Sequence, residues 1–290
     1  MLKKRIMSLL LVIAMVTSLF PGIHAAAEDT VQIGNWEQFI AFLSEGTGRY
    51  ELTADITAPA DMEPIGGFDL SGAELEGNGY TVSGLKLEGA LFTSLVRSAV
   101  RHVVFSDIKV RPATGSNEMA VLALSMDLDS FVTGCVFRDV RMELAGTTSR
   151  AAVVTVRNHG TITNCTVERS VTLTSADPVQ AGLVGGIAAL NDSDYGYIIN
   201  CISRAAIGLA SGSGATVGGI VGANHAVVQY CFVDMTGQED VFSPVVGSTS
   251  GSSQKMDRCV YLAGGSYTML GGRPGKDYAS MDVYHLAERC

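Results

Sequence analysis

The side chains that could do chemistry in this 290-residue chain are few and regularly placed. Cys135, Cys165, Cys201, Cys231 and Cys259 follow one another at steps of 30, 36, 30 and 28 residues. Thiols in such a series could bridge, ligate zinc or fill a core as small hydrophobes. His159 and His225 share a position six residues before a cysteine, and Tyr195 holds it in the intervening unit. Asp192 and Asp194 form a carboxylate pair, with Arg157 in an adjacent unit and Arg204 in their own. Paired carboxylates beside a cation suit acid–base or calcium-assisted attack on an acidic sugar chain. Asp107 and Asp139 also fall at equivalent positions.

What positions these groups is a repeat near 30 residues, the mark of a solenoid in which each unit stacks on the next. Val100–Ile108 aligns with Val132–Val140, which puts Val103 where later units have cysteine. A valine there implies a site that wants a small apolar side chain. The reading is therefore of reduced, buried thiols, although six cysteines in a secreted chain ordinarily suggest disulfides. Stacked side chains also point the same way rather than at each other. Zinc is disfavoured because the chain has no Cys-x2-Cys pair. The two histidines would lie two coils apart, roughly 9.6 Å at twice the strand spacing, too far for one ion. A surface stack on a turn is expected instead.

Upstream of three cysteines an Asn or Asp recurs seven residues before Cys, as Asn158, Asp194 and Asn224, where a tight turn tolerates it. Gly185-Gly186-Ile187 and Gly218-Gly219-Ile220 suit short buried strands with close backbone approach. The loops between units are rich in small polar residues. The fold expected is all-β, a right-handed parallel β-helix spanning residues 51–272.

Ahead of it, residues 28–50 should hold a capping helix. Asn35 can be its N-cap, with Gln38 completing a capping box, and Trp36, Phe39, Ile40 and Leu43 share one face. Gly46 ends it. Such a cap covers the apolar end of a solenoid's first coil. Residues 273–290 read as a C-terminal tail or cap.

The chain opens Met1-Leu2-Lys3-Lys4-Arg5, runs apolar to Phe20, and reaches Ala25-Ala26-Ala27, the pattern of a secretory signal peptide over residues 1–27. Its loss takes the formal charge from −9 to −12. An acidic surface argues against nucleic acid as a partner, and no second apolar stretch is long enough to span a membrane.

Gly218-Gly219-Ile220-Val221-Gly222-Ala223-Asn224 followed by Tyr230-Cys231-Phe232 resembles the GLUG repeat of bacterial surface proteins, and Gly185 to Cys201 is a looser copy. Leu52-Thr53-Ala54-Asp55-Ile56 and Gly77 to Leu85 resemble the segment that often precedes those repeats. A similar pattern occurs in the non-catalytic N-terminal region of immunoglobulin-A-protease-type proteins. The resemblance covers roughly Leu52 to Val260. It implies a β-helix that is secreted or held at the cell surface, with adhesion as its role.

The expectation is thus a non-catalytic scaffold, secreted or in the cell envelope, presenting loops to a glycan or a cell-surface protein. No residue is assigned a catalytic, cofactor-binding or metal-ligating role, and no cofactor is expected. A lyase or hydrolase acting through Asp192 and Asp194 is the alternative. A non-catalytic module of a larger surface protein is the third reading.

Overall fold

The computed structural model describes residues 30–180, 182–192, 195–238, 243–249 and 255–270. Short strands dominate, and all but the last pair in parallel with the equivalent strand one coil away. The chain is a parallel β-helix. A full coil has four faces rather than the two or three strands the repeat suggests. In the central coil they are Glu118–Ala120, Ala123–Met126, Phe131–Thr133 and Val136–Leu144. The first face stacks four strands, and the second stacks seven from Phe68–Ser71 to Val246–Thr249. The third runs nine strands, from Val31–Ile33 to Lys255–Asp257.

The faces alternate buried and exposed residues, and the buried ones stack into ladders through the helix interior. Phe105 and Phe137 are in register on the fourth face, with rings 5.3 Å apart and nearly parallel. Because the strands are short, the corners carry much of the specification. At the corner before the fourth face, His102, Gly134, Asn164, Asn200, Tyr230 and Arg258 all have φ between 48° and 66°, with His102 at 50° and Gly134 at 65°. One left-handed residue turns the chain there without a loop. Asn is among the side chains that adopt it most readily, and the Asn200 amide donates to Asn164 Oδ1 at 2.7 Å.

Helix α1, Trp36–Glu45, covers the first coil. Asn35 is its N-cap and accepts from the Gln38 amide at 2.9 Å. The Gln38 side chain reaches back to the Gly34 N–H rather than to that of Asn35. Gly46 closes the helix at φ 64° and donates to the Phe42 carbonyl. Phe42 joins Phe39 and Leu43 as a fully buried anchor, its ring 4.7 Å from that of Tyr50. The sheet does not wait for the helix to end. Val31–Ile33 precedes α1 and pairs with Gly48–Leu52, so the boundary expected at residue 50 falls inside a strand. At the other end, Cys259–Ala263 and Ser266–Leu270 form an antiparallel hairpin that covers the last parallel strand. The signal peptide over residues 1–27 and the tail over 273–290 lie outside the described residues.

Candidate functional site

Cys135, Cys165, Cys201, Cys231 and Cys259 form a rung ladder in the core. All five are free thiols, and each is at most 1% exposed. Val103, fully buried, holds the rung above Cys135. Each Sγ faces the carbonyl two residues back and one from the preceding coil: Cys165 has Thr163 O at 3.3 Å and Val132 O at 3.7 Å. Burial pushes the Cys165, Cys201 and Cys231 thiols well above the ordinary range. For Cys135 a hydrogen bond with Cys165 leads, and burial adds to it. Nucleophilic or metal-binding use needs the thiolate, which this setting disfavours at those four; at the last rung a hydrogen bond with Cys231 lowers the Cys259 thiol instead.

Beside the ladder runs a second one that the sequence only half disclosed. Asn158, Asn191 and Asn224 are in register at the end of the second face and all 0% exposed. Asn158 Nδ2 donates to Asn191 Oδ1, and Asn191 Nδ2 donates to Asn224 Oδ1, both at 2.8 Å. Asn158 Oδ1 also accepts from the Gly160 N–H, and Asn224 Oδ1 from the Ala226 N–H. These are Asx turns that satisfy the corner's backbone. Above them the same column is apolar, with Leu95 and Met126.

The middle member is Asn191, not Asp194. The corner after Asn191 holds three more residues than the corner after Asn158 before the third face resumes. Counting back from Cys201 therefore picks the wrong residue. The same insertion displaces Tyr195 from the position between the histidines. Asp192 is there instead: Oδ2 lies 3.2 Å from His159 Nε2 and Oδ1 lies 3.4 Å from His225 Nδ1. A surface stack on a turn was expected, and a carboxylate bracketed by two imidazoles is what forms.

The cations proposed to assist Asp192 sit elsewhere. Arg157 Nη2 is 2.5 Å from Glu118 Oε1, which Arg150 also contacts. Arg204 lies over the Phe232 ring on the fourth face. Asp194 lies outside the described residues. Asp107 and Asp139 do stack, both at positive φ beside registered neighbours on the fourth face. They line a cleft of about 380 Å³ with Lys109, Arg141 and Ser170. Among the described residues, no group of three or more His, Cys, Asp or Glu side chains could hold a metal ion.

Sequence reasoning also missed the outer surface of the third face. Phe131, Thr161, Tyr197 and Val227 form one column there, with Phe131 43% and Tyr197 38% exposed. Tyr195 and Tyr230 are exposed nearby in sequence, and Tyr230 contacts Arg258 through both hydroxyl and ring. Exposed aromatic side chains on alternate rungs, in a chain only 7% aromatic, are the signal that could have found it.

No family model matches the chain, and no curated protein sequence does. A crystal structure from Bacteroides ovatus, carrying the provisional name of immunoglobulin A1 protease, is similar in fold. Its TM-score is 0.53 at 14% identity, over 88% of this chain and 83% of that one. No helix among the described residues is long and apolar enough to cross a membrane.

Proposed function

We propose that the chain is a secreted or surface-associated scaffold without catalytic activity, which binds a glycan or a cell-surface protein. The observation that carries this reading is the pair of exposed rings, Phe131 and Tyr197, two coils apart in one column of the third face. Planar rings held rigidly and exposed in a line offer large contact area at low entropic cost, which is what recognition surfaces use. A parallel β-helix fixes their spacing at multiples of about 4.8 Å. The GLUG-like stretches and the likeness to the Bacteroides structure support a surface setting. They are equally compatible with this chain working as a module of a larger surface protein.

The test is binding of the mature chain to a glycan and surface-protein array, repeated with Phe131→Ser plus Tyr197→Ser. Loss of the captured ligand in the double variant is expected. Binding that survives it would remove the third face from consideration. The enzymatic alternative predicts new reducing ends or unsaturated products, lost in Asp192→Asn plus Asp194→Asn.

A further inference from the structure

Charged side chains on the outside of this helix mostly meet opposite signs down a column, although Glu51 stands in register with Glu76. Arg49 is registered with Glu74 and 3.8 Å from it, and Arg101 closes on Glu74 at 3.3 Å. Glu118 is registered with Arg150 at 2.5 Å. Arg111 lies between Glu88, its partner in register, and Glu143, 3.6 Å away. Alternation is the expected arrangement, because like charges directly opposite on neighbouring strands destabilise a sheet.

One stretch of the fourth face breaks that alternation twice. Lys86, Lys109 and Arg141 occupy one column on three successive coils. Two residues earlier in the chain, Asp107 and Asp139 stack in a second column. The cations are also poorly engaged. Lys86 Nζ donates to the Ala60 and Met62 carbonyls, leaving one donor. Lys109 and Arg141 are exposed, and among the described residues their side chains make no hydrogen bond or ion pair. Asp139 accepts only a long bond from Ser106 Oγ at 3.3 Å. Clefts run along both columns. One of about 380 Å³ is lined by Asp107, Asp139, Lys109, Arg141 and Ser170. A second of about 370 Å³ continues past Lys86 and Lys109 to Asp61, Glu63 and Glu88.

Three cations held in line on a strongly acidic chain, two of them with no side-chain partner among the described residues and the third with one donor spare, form a site pre-set for an anion. The neighbouring carboxylates say which kind. They would repel a DNA phosphate backbone or a glutamate-rich peptide, neither of which offers hydroxyl donors along its length. They accept hydrogen bonds well from hydroxyls. A ligand that fits both columns carries carboxylates interspersed with many hydroxyl groups. We propose that this cleft binds an acidic polysaccharide, with sugar carboxylates on Lys109 and Arg141 and sugar hydroxyls on Asp107 and Asp139. The chain would lie along the helix axis, crossing coils at about 4.8 Å per rung.

This cleft is on a different face from the aromatic column, so either site can fail alone. The test is isothermal titration calorimetry of the mature protein with a defined-length oligogalacturonate, in low and physiological salt. Poly-glutamate, a DNA duplex and a neutral oligosaccharide of the same length are run beside it. Lys109→Gln plus Arg141→Gln is compared with wild type and with Phe131→Ser plus Tyr197→Ser. Both substituted cations are exposed, and an unchanged far-UV circular dichroism melt confirms that the variant folds. The expected result is uronate binding that falls at least tenfold in the Lys109/Arg141 variant and with added salt, but not in the Phe131/Tyr197 variant. Undetectable oligogalacturonate binding overturns the proposal. So does undiminished binding by the Lys109/Arg141 variant, or an equal affinity for poly-glutamate or DNA.

Discussion

Asn191→Ala should be among the most damaging single substitutions in the chain, although the position is polar and no repeat alignment singles it out. The asparagine is 0% exposed and sits at the centre of the amide ladder. Its Nδ2 donates to Asn224 Oδ1 at 2.8 Å, to Val227 O at 3.1 Å and to Gly196 O at 3.4 Å. Its Oδ1 accepts from Asn158 Nδ2 at 2.8 Å. Alanine deletes all four. Counting only the three at or below 3.1 Å, at about 1 kcal/mol net each, gives about 3 kcal/mol. The orphaned Val227 carbonyl and the weakened Asn158 amide add about 1–2 kcal/mol, for a total of about 4–5 kcal/mol. At about 2–4 °C per kcal/mol for a chain of this size, the melting temperature should drop by about 8–20 °C. Asn191→Asp keeps the shape but loses both donors and sets a carboxylate against Asn224 Oδ1, so it should be no better. Far-UV circular dichroism melts measure this directly, with Asn200→Ala at the exposed amide pair as the surface comparison. A melt for Asn191→Ala within 2 °C of wild type, or no lower than that of Asn200→Ala, would show that the ladder does not hold the corner.

Three further outcomes are expected. Cys165→Val plus Cys201→Val should cost less than about 1.5 kcal/mol per site, because Val103 already fills an equivalent rung, whereas Cys165→Asp should prevent folding; urea titration decides. The raised thiol pKa values make stability depend on pH in a known direction. Unfolded thiols ionise from about pH 8.5 while Cys135, Cys165, Cys201 and Cys231 stay protonated, so their contribution is full below that value and falls by about 1 kcal/mol per thiol per pH unit above it. A urea midpoint unchanged between about pH 7.5 and pH 9.5 would contradict this. Gly186→Ala and Gly219→Ala should each destabilise by about 3 kcal/mol or more, because the added Cβ would lie 2.1 Å from the Gly219 and Pro244 carbonyl oxygens respectively; soluble expression with an unshifted melt for either would refute the contact.

Much of the architecture was legible because a solenoid writes its period into the chain. Val103 at a cysteine rung settled which way that column points. The glycines at Gly185, Gly186, Gly218 and Gly219 marked corners where backbones pass too closely for a Cβ. Asn35 and Gly46 bounded α1 as their types suggested. Each of these is a local fact: one residue, one conformation or one small volume.

The site residues were less legible because they depend on register, and register is a property of two coils at once. Three extra residues after Asn191 moved the ladder asparagine from Asp194 to Asn191 and put Asp192, rather than Tyr195, between His159 and His225. No single coil reveals such an insertion, since each corner is satisfied on its own. Arg157 and Arg204 lie in the coils expected of them yet face away from Asp192, because a four-faced coil spreads nearby residues over different surfaces. The exposed ring column at Phe131 and Tyr197 and the unpaired cation column through Lys109 and Arg141 exist only in the stack. The sequence by itself determined that small apolar rungs repeated about every 30 residues, joined by tight turns, would wind this chain into a helix of strands. Only the tertiary structure decided which charges and rings share a column, because hydrogen bonding between coils, not spacing along the chain, sets that alignment.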